Sequence, residues 1–356
     1  MTKMSLLTVL LVLYNMPKFS YGGALAPALY VFGDSLVDSG NNNYLTTIAR
    51  ANYFPYGVNF AQGPAGRFTN GRTIADFFAE YLGLPYPPPC VNLKTSILTP
   101  TTGINYASGS CGILFETGKL VGNCLSLDAQ IELFEAAISL KLQYLFRSKN
   151  ELSKYLADSI FLFSVGSNDY IINYLVPYSQ SSQNYNPQQF AQLLLNKLSE
   201  NLQKMYNLGA RKMIVFELGP IGCIPYFAKK AAAGKCMEET NKIVGFFNNN
   251  LGNMLKKLEA ILPGVKFVHG QSYSLCYDAN INPQKYGLID SSNPCCTTWS
   301  NGTSSCIPLV TPCPAPNKLY FFDAFHPTES VYSLIASRCI NDNSACSPTI
   351  SQLVKL

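Results

Sequence analysis

The sequence predicts an α/β domain with helices on both faces of a mostly parallel sheet. Three observations lead there. Five short apolar runs recur along the chain, each with little alternation, as strands buried on both faces require. Segments with helical periodicity fall between them. Small polar residues follow three of the runs at once, as at the ligand-binding edge of such a sheet.

In chain order, the strands are expected over Ala28–Phe32, Ile104–Ala107, Ile160–Val165, Met213–Leu218 and Val265–His269. The first helix, Thr73–Leu82, repeats apolar residues at spacings of three and four and stops at Gly83. Leu127–Phe146 and Pro187–Leu208 follow, the second ending at Gly209. Lys242–Leu262 is stopped by Pro263-Gly264. No internal repeat and no long low-complexity linker divides the chain.

Bulk properties narrow the class. The 356 residues are 47% apolar, ample for a core, and 13% charged, with a net charge of +5. The basic residues are scattered, which excludes nucleic acid as the expected partner. Lys3 followed by the apolar Ser5–Tyr14 and by Ala24-Leu25-Ala26 reads as a signal peptide over residues 1–26. A single domain, 27–356, would remain, secreted to the extracellular space or cell wall. No later stretch reaches the roughly 18 apolar residues of a membrane span.

Twelve cysteines suit an oxidising compartment. Cys111–Cys124 and Cys223–Cys236 are candidate local pairs, Cys90 and Cys276 candidate free thiols, and the connectivity is open. With no C-x-x-C pair and two histidines, neither a metal nor another cofactor is expected. Asn301-Gly302-Thr303 is a glycosylation sequon.

The strand ends carry the chemistry. Gly33-Asp34-Ser35 follows the first run, Ser108-Gly109-Ser110 the second and Gly166-Ser167-Asn168-Asp169 the third. Singly, each reads as a turn or a cap. Together on one edge of a parallel sheet they supply a hydroxyl, a glycine N–H and a carboxamide. Ester hydrolysis needs such parts: a serine nucleophile with a base, and donors aimed at the oxyanion. Asp34 is expected to shape the turn, and Asn41, Asn42 and Asn43 to satisfy loop backbone groups.

Two histidines compete for the role of base. His269 ends a predicted strand and has no acid near it in sequence before Asp278, so it reads as structural. His326 follows Asp323 by three residues, and one turn can set both on the same side. The carboxylate would then hold Nδ1–H and leave Nε2 free for the serine proton.

The blocks GDSLVDSGNNN, INYASGSCGI, VGSNDY and FFDAFHPTE resemble, in order, the four signature blocks of the SGNH hydrolases in the plant-type GDSL esterase/lipase branch. GRFTNGRTIADFFAEYLGLP, ELGPIGCIP and the tail PCC…C…PCP are also similar to that branch. The resemblance runs from about Tyr30 to about Cys339. It implies a three-layer α/β/α, flavodoxin-like fold with a five-strand parallel sheet. It implies Ser35 as nucleophile, His326 as base and Asp323 as its orienting acid, with Ser35 N–H, Gly109 and Asn168 forming the oxyanion hole. Two departures stand out. SGSCG replaces the commoner SGGAG, and Phe322 stands where tryptophan is common.

The expected function is a secreted serine esterase/lipase acting through an acyl-enzyme. Its substrate would be an ester: a lipid, a polyester, an acylated polysaccharide or a small molecule. Two other readings use the same chain: an acyltransferase with a hydroxyl acceptor in place of water, and a non-catalytic glycan- or lipid-binding protein. Aromatic surface would serve the last, and the complete set of reacting groups speaks against it.

Overall fold

The computed structural model describes residues 23–93, 100–231 and 236–356. The expected signal peptide lies mostly outside these residues. Where the chain is first described, Leu25 N–H donates to Leu82 O and Ala26 is buried.

Four parallel strands form the centre: β1 (Leu29–Gly33), β2 (Ile160–Ser164), β3 (Lys212–Phe216) and β4 (Lys266–Gly270). They lie in the order β1-β2-β3-β4, and β7 (Cys346–Ser347) adds a fifth, antiparallel strand beyond β4. Parallel pairing accounts for the apolar runs: every residue of β1 and β2 is buried.

The expected strand Ile104–Ala107 takes a different form. It lies along the outer edge of β1, where Val31 N–H donates to Ile104 O and Tyr106 N–H to Val31 O. Asn105 turns its own N–H to Pro88 O on the other side. The result is two single-residue bridges, Val31–Asn105 and Pro89–Asn105, and no continuous ladder. Gly103 makes the approach feasible, because a Cβ there would sit 1.9 Å from Leu29 O. The fifth strand is instead Cys346–Ser347, a two-residue piece with no sequence pattern, held to the helix before it by the Cys339–Cys346 disulfide.

Helix α1 (Ile74–Leu82) starts at Thr73, whose N–H donates to Asp76 Oδ2 at 2.8 Å, and ends at Gly83 in the left-handed region (φ 71°). Next come α2 (Leu127–Leu140), α3 (Lys149–Asp158), α4 (Pro187–Asn207) and α5 (Glu238–Ile261). The expected helix over Leu127–Phe146 stops at Leu140 and passes into a short 3₁₀ turn. α6 (Tyr273–Ile281) follows β4, and α7 (Glu329–Asn341) follows a small parallel pair, β5 (Asp290–Pro294) with β6 (Leu319–Phe321).

The strand order never reverses from β1 to β4, so right-handed crossovers stack α2, α4 and α5 on one face. α4 contacts both α2 and α5, and α1 packs with α7. At β1 the path does switch, because residues 102–108 lie on one side and β2 on the other. Open α/β sheets bind ligands at the carboxyl ends of strands where the order switches.

Candidate active site

Ser35, Ser108-Gly109 and Asn168 leave the sheet region at that switch. β1 turns sharply at Gly33, where a Cβ would lie 2.1 Å from Ser164 O of β2. Asp34 then accepts the Leu36 N–H at 3.0 Å, an Asx-type turn, and Asp34 N–H donates to Ser164 O. Ser35 is thereby presented with no partner for its N–H among the described residues.

The three asparagines after it tie the loops together. Asn41 Nδ2 donates to Asn105 O and Ala107 O, Asn42 Nδ2 to Ala49 O and Gly109 O, and Asn43 Nδ2 to Ala65 O.

His326 arrives from the far end of the chain. Its Nε2 is 2.8 Å from Ser35 Oγ, and its Nδ1 is 2.8 Å from both oxygens of Asp323. A carboxylate only accepts, so Nδ1 carries the proton and Nε2 offers its lone pair to the serine. Asp323 Oδ1 also accepts the backbone N–H groups of Phe325 and His326, each at 2.8 Å. Asp323 is fully buried, which works to raise its pKa. The His326 charge and hydrogen bonds from His326, Tyr56 and Phe325 outweigh this and hold it below the ordinary carboxylate range.

Tyr56 was not singled out in the sequence. Its hydroxyl donates to Asp323 Oδ2 at 2.5 Å and accepts the Cys306 N–H at 3.3 Å. No spacing links residue 56 to residue 323, and the contact arises only in the fold. Tyr56 belongs to a second, small core with Phe68, Phe322, Cys295, Cys296 and Cys306. Phe322, the departure from tryptophan, is fully buried there, 5.6 Å from the Tyr56 ring. The disulfides Cys295–Cys313 and Cys296–Cys306 brace this cluster. Phe68 lies 5.1 Å from the His326 ring.

The expected oxyanion donors stand differently from one another. Asn168 Nδ2 donates to Cys111 O at 3.0 Å. Gly109 N–H donates to Asp38 Oδ2 at 3.2 Å, so it is engaged, because Asp38 also gathers the N–H groups of Gly40 and Asn41. The next amide, Ser110 N–H, has no partner among the described residues. Ser110 has φ 67°, a left-handed conformation that favours glycine. Cys111–Cys124 closes the loop, and Cys223–Cys236 also forms.

Burial dominates three other carboxyls near these loops. It pushes Asp34 up to about 7, against the Leu36 N–H and the His326 charge, and Asp38 and Asp169 each up to about 6. His269 meets Gln271 at Nδ1 and lies 3.2 Å from Glu217. It has no contact with Ser35. Asn301 is exposed.

A model of the GDSL-like Lipase/Acylhydrolase family matches residues 29–339. The chain belongs to this family. The GDSL chain is 44% identical to GDSL esterase/lipase 7 of Arabidopsis thaliana over 339 residues, 93% of each protein. Two further A. thaliana GDSL esterase/lipases are 42% identical, over 88% of this chain and 86% of the relative, and 41% identical, over 94% and 89%. As a member of the GDSL family it is a carboxylic ester hydrolase of esterase/lipase type, with esters as substrates. Among the described residues of this GDSL hydrolase, no helix is long and apolar enough to cross a membrane.

Proposed function

We propose that the chain is a secreted serine esterase that works through an acyl-enzyme on Ser35. The observation that carries this is the unbroken hydrogen-bonded line from Ser35 Oγ through His326 to Asp323, 2.8 Å at each step. His326 Nε2 takes the serine proton as Oγ attacks the ester carbonyl carbon. The Ser35 N–H and the Asn168 amide hold the oxyanion. The third donor comes from the Gly109-Ser110 turn: Gly109 once it leaves Asp38, or the unengaged Ser110 N–H. His326 returns the proton to the leaving alkoxide, and the acyl group stays on Ser35. Water, activated by the same imidazole, then releases the acid.

Five disulfides support export, and Asn301, exposed within its sequon, is the proposed glycosylation site. The division into a leader over 1–26 and a mature domain over 27–356 is checked by sequencing the N-terminus of the exported protein. Its boundary matters because the Leu25 N–H already bonds Leu82 O and the Ala26 side chain is already buried.

The test is hydrolysis of p-nitrophenyl esters from acetate to palmitate by wild type and Ser35→Ala. Loss of a serine nucleophile lowers kcat by roughly 10⁴-fold or more. Near-wild-type turnover in Ser35→Ala overturns the assignment.

A further inference from the structure

The reacting groups lie in an open-mouthed pocket of about 350 Å³ that continues inward past them. One part of its wall is the site itself, with Ser35, Asn168 and His326. The lining runs from exposed Ile48 and its neighbours Ala49 and Arg50 on the outside to an inner part that includes Ile74 of α1, Phe216 of β3, Cys276 of α6 and Ile335 of α7. These last four belong to the main core, yet they keep 5–8% of their surface open, whereas their core neighbours Phe78 and Ala279 keep none. That residual surface faces interior space.

The cavity has a direction. α7 begins three residues after His326, and Ile335 lies six residues further along it. At 1.5 Å per residue this is about 9 Å of helix. Tyr332 and Ile335 are three apart, share a face of α7 and both line the cavity. The space therefore follows α7 inward from the histidine. Its lining there is apolar apart from the thiol of Cys276, which forms no disulfide, and hydroxyls of Ser272 and the tyrosines. Glu217 also lines it, with its carboxylate turned to His269 and the Tyr273 N–H.

We propose that this cavity is the acyl site, and that the substrate class is an ester of an unbranched, medium-length fatty acid whose chain runs inward along α7 toward Cys276 and Ile335. The proposal rests on the serine-esterase reading above. A cavity of this volume holds on the order of ten groups of water size, and a methylene is about that large. A sugar acyl group would leave its hydroxyls without partners against the apolar inner lining. An acetyl group would leave the apolar lining facing water. Each methylene added takes apolar surface out of water and is worth about fourfold in kcat/KM.

Two experiments test it. In the first, kcat/KM for the p-nitrophenyl series is measured for wild type, Cys276→Trp and Ile335→Trp. Wild type should improve with chain length up to about ten carbons and then level off. In each variant the indole occupies the inner end, and the decanoate-to-acetate ratio should fall at least 30-fold. An unchanged ratio in variants that still turn over acetate overturns the proposal, as does a wild-type profile that peaks at acetate.

The second experiment does not depend on turnover or on a variant with an altered core. Ser35→Ala is titrated calorimetrically with methyl decanoate and methyl butyrate. Binding of decanoate at least 30-fold tighter supports the acyl site, and equal binding overturns it. If wild type hydrolyses no ester while decanoate still binds tightly, the esterase reading fails and the apolar site stands.

Discussion

The Tyr56 hydroxyl donates to Asp323 Oδ2 across 2.5 Å, although 267 residues separate the two in the chain. Asp323 thus has a donor on its second oxygen as well as three on or near its first, and its position does not rest on its own loop alone. Tyr56→Phe removes that donor and leaves the Cys306 N–H without its acceptor. We expect kcat to fall about tenfold, the effect of roughly 1.4 kcal/mol, with KM little changed. Steady-state kinetics on one ester check this, and a change confined to KM would show that Tyr56 does not act through Asp323.

The Cys111–Cys124 bridge closes a loop with a sequence separation of 13, and the Cys111 carbonyl holds the Asn168 amide. Replacing both cysteines by serine should cost about 3 kcal/mol of stability on the chain-entropy account. It should also lower kcat more than it raises KM, because Asn168 loses a fixed anchor. Urea unfolding and kinetics of the double variant measure the two effects separately.

Ser110 holds φ 67° without being glycine. Ser110→Gly removes a Cβ penalty of about 1–2 kcal/mol, offset in part by the greater freedom of glycine in the unfolded chain. The variant should be more stable by about 0.5–1 kcal/mol. A melting temperature below wild type would show that the Ser110 hydroxyl contributes more than its backbone strain costs.

Acid should protect the fold down to about pH 4. Asp34, Asp38 and Asp169 keep their protons in the folded state to about pH 7, 6 and 6, whereas in the unfolded chain they lose them near 3.8. The folded state therefore binds more protons between these values, and stability falls as pH rises across that window. Asp323, held low, acts in the opposite sense: its contribution is present above about 3.8 and is lost as pH falls through its folded value. The melting temperature should peak near pH 4–5 and decline toward pH 8, less steeply in Asp34→Asn. Calorimetry at three pH values is enough, and a rising trend from 5 to 8 would contradict the account.

What could be read in the sequence was local or periodic. Buried strands announce themselves as apolar runs, and α1 and α4 carry their own start and stop residues, Thr73 with Gly83 and Asn186 with Gly209. α3 has only one buried residue, Leu156, and α6 sets polar Asn280 beside Cys276 and Ala279 on its buried side, so neither left a clear periodic signal. Ile104–Ala107 has the composition of a strand and bonds β1 at Val31, yet the Gly33 N–H that would extend the ladder goes to Gln130 Oε1 instead. Asp323 and His326 could be paired because they are three residues apart. Tyr56, and Asp38 with its hold on Gly109, could not, because their partners are set by tertiary packing. The pocket draws its lining from many separate regions of the chain, and no segment of sequence contains it.

Ser35 and His326 are 2.8 Å apart in space and 291 residues apart in sequence. On the proposed mechanism, almost the whole polypeptide must be synthesised before Ser35 can meet its base. A nascent or prematurely ended chain displays the serine loop with nothing to take its proton. On that mechanism hydrolytic capacity would appear late and all at once, with translation itself as the safety catch on Ser35.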